Sequence, residues 1–146
     1  MTATLPATQY TAAVTVTGEG RNGGRAVASD GNLDVRFAFP KELGGSGDAT
    51  NPEQLLAAGW GACFTGAIRR AAAAAKVRVG GIEVDAEVTL HHDGAGEFSL
   101  SAVLHVRVSG VDAATAERLG EAAHQLCPYS KALGPSIPVV IDATTV

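Results

Sequence analysis

Cysteine is scarce in this chain: 146 residues carry two thiols, Cys63 and Cys127. Two are too few, and too far apart, for a disulfide-dense mini-scaffold or a four-cysteine zinc site. Positive charge is short as well. Eleven Lys+Arg face fifteen Asp+Glu, a formal net charge of −4, whereas a general nucleic-acid binder needs surplus positive charge to displace counterions from phosphates. Leu55 to Ile68 runs uncharged for fourteen residues, short of the roughly 20 that span a bilayer. The glycine loop Gly44 to Gly47 lacks the Lys-Ser/Thr pair of a phosphate-binding loop. The opening Met1-Thr2-Ala3-Thr4-Leu5-Pro6 has neither a basic nor an apolar signal region. A cytosolic, reducing home is therefore expected, in which a cysteine pair more often does redox work than acts as a permanent staple. No repeat, linker or composition break divides the sequence, so one domain over 1–146 is expected.

What is present suits a packed core: 46% of residues are apolar and 18% charged. Thr- and Val-rich Tyr10 to Val16 reads as a strand, followed by the glycine-rich turn around Arg21 and a strand near Arg25 to Ser29. Leu33, Val35, Phe37 and Phe39 alternate with polar or small residues up to Pro40, completing an antiparallel meander. A helix begins at Thr50-Asn51-Pro52-Glu53. Either Thr50 and Glu53 form a capping box, or Asn51 caps and Pro52 takes the first helical position. It continues through the Ala71 to Ala75 run. Apolar on nearly every side, it is expected to be a central helix covered on nearly every side.

Ile82 to Leu90 and Phe98 to Val106 alternate as strands joined by the hairpin turn Asp93-Gly94-Ala95-Gly96. Asp112 caps a second helix with Leu119, Ala122, Ala123 and Leu126 on one face, and Pro128 marks its end. Val139 to Thr145 is the last strand. The order predicts an α+β fold with antiparallel sheets around a long central helix.

The only two thiols thus fall on the only two predicted helices. Two readings stand open. Both cysteines can be small buried hydrophobes, or they can form a reactive pair. A thiolate is the nucleophile, and burial in an apolar helix works against it. At a pKa of about 8.5 roughly 3% is thiolate at pH 7, against roughly 90% at a pKa near 6. Activation therefore requires a cation. Arg69 and Arg70 lie six and seven residues beyond Cys63, about 9–10 Å of helix rise, and mark where the helix emerges into solvent. Arg21, in a glycine-rich loop, is the better placed to fold over the helix, or it is a solvated turn arginine. His124 and Cys127, three apart, could share a metal, but no close pair of Cys or His elsewhere has a familiar ligand spacing.

The segment Thr50-Asn51-Pro52-Glu53-Gln54-Leu55-Leu56-Ala57-Ala58-Gly59-Trp60-Gly61-Ala62-Cys63-Phe64, with Ala123-His124-Gln125-Leu126-Cys127-Pro128-Tyr129-Ser130 later, closely resembles the organic hydroperoxide resistance family. That family is one branch of a larger group that includes the osmotically inducible peroxidases. Tyr10-Thr11-Ala12, Ser29-Asp30-Gly31, Leu33-Asp34-Val35 and Leu43-Gly44-Gly45 extend the resemblance over nearly the whole chain. The resemblance implies a thiol-dependent peroxidase that reduces organic hydroperoxides to alcohols. Its peroxidatic cysteine would be Cys63 and its resolving cysteine Cys127, with Arg21 as catalytic arginine and Glu53 as its acidic partner. It further implies an intertwined homodimer of the same fold, no metal or flavin cofactor, and recycling by a lipoylated protein.

On this reading Cys63 and Cys127 end as an intramolecular disulfide, and Leu55, Leu56, Trp60 and Phe64 are candidates to bind an apolar substrate. Glu53 and Cys63, ten residues apart on one helix, stand about 15 Å apart along its axis and about 80° around it. That separation favours a site shared between two chains. Three departures from the family pattern stand out. An extra glycine at Gly23-Gly24 makes Arg25 a rival to Arg21. Trp60 replaces a usual Tyr. After Ser130, the family's Asn-Ala-Thr-Arg-Gly-Asn gives way to Lys131-Ala132-Leu133-Gly134-Pro135-Ser136. The alternative from a different class is a non-enzymatic module that binds an apolar ligand or hydroperoxide and holds its cysteines inert.

Overall fold

A computed structural model describes residues 9–146; the N-terminal hexapeptide read above lies outside them. The chain divides into two compact units at Pro52, a boundary that no linker marks in the sequence.

The first unit holds an antiparallel sheet of β1 (Val14–Gly18), β2 (Gly24–Ala28) and β3 (Asp34–Arg36), in that order. Strand β1 starts four residues later than the pattern from Tyr10 predicts. The turn between β1 and β2 is the short 3-10 helix Gly20–Asn22, which carries Arg21. Glycine is required there: a Cβ on Gly24 would lie 2.6 Å from the Thr17 carbonyl oxygen. Strand β3 is shorter than the Leu33–Phe39 alternation predicts, because β2 begins at Gly24, whose carbonyl accepts from the Phe37 amide at 2.8 Å, and Phe37 bridges in parallel to Thr50 on its other side.

In the second unit α1 (Pro52–Ala74) is followed by the hairpin β4 (Ile82–His92) and β5 (Phe98–Val108), then α2 (Ala113–Leu126), α3 (Pro128–Leu133) and β6 (Val139–Thr145). Helix α1 starts at Pro52, so Asn51 stands at the N-cap position and the proline at the first helical one. The Asp112 carboxylate caps α2 by accepting from the Thr115 amide at 2.8 Å.

The prediction of wholly antiparallel sheets requires correction here. Strand β6 lies parallel to β5, with Leu104 opposite Ile141, because two helices intervene and return the chain to the same end of the sheet. Alternation on β5 buries Ala102, Leu104, Val106 and Val108. These pack in one core with Trp60, Phe64 and Ile68 of α1, and with Leu119 and Ala123 of α2.

Coverage of α1 on nearly every side is not supplied by this chain alone. Within one chain it buries Trp60, Phe64, Ala67, Ile68, Ala71 and Ala72, while Ala58, Ala62 and Gly66 on another face stay exposed. Among the described residues no helix is long and apolar enough to cross a membrane.

Candidate active site

The two cysteines meet. Cys63 stands half-buried in the middle of α1, and Cys127 is fully buried between α2 and α3. Both are free thiols, with Cys127 Sγ donating to Cys63 Sγ at 3.2 Å. The Cys127-Pro128 pair makes this geometry. A residue before proline is pushed out of the helical region, and Cys127 is extended at φ −67°, ψ 122° while its amide still closes the last turn of α2. Pro128, lacking an N–H, suits the first position of a new helix. Pro128 therefore both ends α2 and opens α3, a helix that goes unpredicted when the proline is taken only as a stop.

Burial pushes the Cys63 thiol above its ordinary pKa, and the neighbouring Cys127 thiol adds to that. Two groups oppose the shift: a hydrogen bond from the Tyr129 backbone and the charge of Arg70. The first-turn amides of a helix have no partner within it, which makes the Tyr129 N–H at the start of α3 available to Cys63. Arg70 thus does more than mark the emergence of α1 into solvent. Its spacing of seven from Cys63, two helical turns, is the signal that the two share a face.

The other predicted site residues are distributed as follows. Glu53 is half-buried in the first turn of α1, on the same continuous helix as Cys63. Arg21 is half-buried in the 3-10 turn of the first unit. Its rival Arg25 is engaged elsewhere. Its guanidinium grips Asp34 with both prongs, Nε to Oδ1 at 2.8 Å and a terminal nitrogen to Oδ2 at 2.6 Å, across β2 and β3. Of the four apolar candidates, Trp60 and Phe64 have no exposed surface and belong to the core, while Leu55 and Leu56 are half-buried. Trp60 also has a polar task, its indole N–H donating to the buried Ser130 hydroxyl at 3.0 Å. Among the described residues no group of three His, Cys, Asp or Glu side chains is placed to hold a metal ion.

The family model for OsmC-like protein matches residues 45–142, which include both thiols. An organic hydroperoxide resistance protein of Xanthomonas axonopodis pv. citri is 46% identical over 134 residues, covering 90% of this chain and 92% of the relative. The chain belongs to the organic hydroperoxide resistance branch of the OsmC-like family. Solved members share its fold. The crystal structure of an organic hydroperoxide resistance protein from Elizabethkingia anophelis superposes with a TM-score of 0.88 at 37% identity, covering 97% of this chain and all of that one. That of a Legionella pneumophila member gives 0.87 at 39% identity, covering 94% and 98%. Trp60 packs in the core that also holds Cys127, and Lys131 to Leu133 complete α3.

Proposed function

We propose that this protein is a cysteine-based peroxidase that reduces organic hydroperoxides to alcohols in the cytoplasm, in defence against oxidative stress. The observation that supports this reading is the 3.2 Å separation of two free sulfurs, one in the middle of α1 and one at the junction of α2 and α3, only about 1.2 Å beyond the bonded distance of about 2.05 Å. The Cys63 thiolate attacks one peroxide oxygen. The O–O bond breaks, the alkoxide takes a proton and leaves as the alcohol, and Cys63 becomes a sulfenic acid. Cys127 then displaces water from that sulfur to form a disulfide, which an external dithiol, a lipoylated protein, reduces. No flavin or metal takes part.

Arg21 supplies the positive charge that Cys63 needs and stabilises the departing oxygen, with Glu53 orienting its guanidinium. Half-buried Leu55 and Leu56 favour an alkyl or lipid chain over hydrogen peroxide. Because Glu53 and Cys63 lie about 15 Å apart along one helix, the Glu53 that serves a given Cys63 comes from a second chain of a homodimer. The exposed Ala58, Ala62 and Gly66 face of α1 supports a second chain packing there.

Thiol titration around one equivalent of tert-butyl hydroperoxide tests the chemistry. A peroxidase loses two thiols per chain and regains them with dihydrolipoamide; a binding module with inert cysteines loses none. Mixing Glu53→Ala with Cys63→Ala protein tests the shared site. Once chain exchange is verified, activity returns in the heterodimer, and its failure to return puts the site within one chain.

A further inference from the structure

Helices α1 and α3 touch at a second point, close to the thiols. Trp60 precedes Cys63 by three residues, and Ser130 follows Cys127 by three. Three residues along a helix is nearly one turn, so the Trp60–Ser130 hydrogen bond runs beside the thiol contact, between the same two segments. Both side chains are shut off from solvent, Trp60 at 0% and Ser130 at 2% exposure. Beside them Gly59 gives way to Tyr129: a Cβ on Gly59 would come 2.7 Å from the Tyr129 hydroxyl oxygen. The Tyr129 backbone is the one that bonds Cys63. Among the described residues Ser130 is the one polar residue in the buried core. A hydroxyl costs free energy there unless it is paired, and its partner is the indole N–H. Apolar side chains at both positions would carry no such cost. The hydrogen bond therefore has a purpose beyond filling space.

We infer that Trp60 and Ser130 are positioning residues for the resolving step, holding α3 against α1 so that the Cys127 sulfur stays within reach of Cys63. This rests on the peroxidase reading above. Under that reading the Cys63 sulfenic acid has two fates. In the first, the Cys127 sulfur attacks the sulfenic sulfur, an S–S bond forms and the S–O bond breaks. The hydroxide takes the Cys127 proton and leaves as water; Cys127 is oxidised and the Cys63 sulfur reduced. In the second, the sulfenate attacks another hydroperoxide, the O–O bond breaks, an alcohol leaves, and Cys63 is oxidised to a sulfinic acid. The first is intramolecular and depends on where Cys127 sits; the second depends on hydroperoxide concentration. A misplacement of about 1 Å can cost on the order of 100-fold in such an oriented step. The clamp thus sets the ratio of disulfide to sulfinic acid.

The experiment compares wild type with Ser130→Ala, which deletes a single oxygen atom, with Trp60→Phe, and with the double variant. Each is treated with one and then ten equivalents of tert-butyl hydroperoxide and read by intact mass. The rate of sulfenic acid formation is measured for each in a Cys127→Ser background. The sulfinic fraction per turnover rises about tenfold in each variant, while sulfenic acid formation changes by less than about twofold. The double variant matches the worse single one, because one bond is removed in every case. In Ser130→Ala the single tryptophan of the chain reports the lost partner as a shift in its emission. A sulfinic fraction unchanged in a folded variant overturns the inference, and so does an equal loss in both steps, which marks a merely structural role. Should Trp60→Phe fail to fold, Ser130→Ala decides alone. Wild type that loses no thiol at all refutes the peroxidase reading itself, and is told apart because it needs no variant.

Discussion

The two long helices of the second unit each deliver one cysteine, yet they are built by opposite rules. Helix α2 is amphipathic: it buries Ala116, Leu119, Gly120 and Ala123 and turns Glu117, Arg118 and Glu121 to solvent. Its face is written in the alternation of charge with apolar residues. Helix α1 has no such alternation through its middle. There side-chain size chooses the face, with Trp60, Phe64 and Ile68 taking the core and Ala58, Ala62 and Gly66 left outside. A patterned helix announces which side will be covered. An apolar one announces only that much of it wants covering and leaves the choice of face to side-chain size.

The largest effect expected from this contrast is chemical. Cys63→Ser on α1 abolishes hydroperoxide reduction, a loss of at least about a thousandfold, comparable to removing other enzymic nucleophiles. Cys127→Ser after α2 still turns over once and then stalls as sulfenic acid or proceeds to overoxidation. Single-turnover kinetics with intact mass check the pair; reactivity kept by Cys63→Ser and lost by Cys127→Ser reverses the roles.

A smaller effect separates the helix faces through their glycines. A Cβ on Gly120 would lie 2.8 Å from the Ala143 Cβ where α2 packs on β6, so Gly120→Ala destabilises by about 1–3 kcal/mol through overpacking. On the open face of α1, a Cβ added to Gly66 would meet nothing within 4 Å. Gly66→Ala therefore stabilises a single chain by about 0.5–1 kcal/mol. Denaturant midpoints with sedimentation on both variants sharpen the comparison. If Gly66→Ala lowers stability and weakens association together, the open face of α1 is packed against a second chain.

The smallest effect lies away from both helices, on the outer face of the second sheet. The His105 ring bonds Asp142 at 3.0 Å and Glu87 at 3.2 Å, and these carboxylates hold its pKa above the ordinary histidine value, Asp142 foremost. A folded pKa raised above the unfolded value near 6.5 gives stability that is complete below about pH 6.5. It is lost as pH rises through the folded pKa. His105→Gln should flatten the difference in urea midpoint between pH 6 and pH 8 by a small amount, as expected for an exposed ion pair. Hydroperoxide reduction should not change, which keeps the chemistry on the helices.

Much of this is legible in the sequence where local chemistry decides. Val139 to Thr145 is a strand as its β-branched run predicts, Asp112 caps α2, and α1 opens at Pro52, one of the two starts that the sequence offers. The turn chemistry of Asp93 to Gly96 closes the β4–β5 hairpin, with the Asp93 carboxylate accepting from the Ala95 amide at 2.7 Å. The candidate thiols are visible as the only two in the chain. Less legible are the partners of Cys63, because a backbone amide such as that of Tyr129 carries no side-chain signature. Trp60 is also harder to place, since a large aromatic reads equally as pocket wall or core until its neighbours are known.

The sequence by itself determined the two long helices and the strands of the second unit, the residues that start those helices, and the scarcity that singled out Cys63 and Cys127. These follow from periodicity, propensity and composition, which act over a few residues. Tertiary structure alone decided that β6 runs parallel to β5, that one face of α1 stays open, and that two distant sulfurs stand 3.2 Å apart. Each of these depends on how elements far apart in the chain share one core, and no local rule carries that distance.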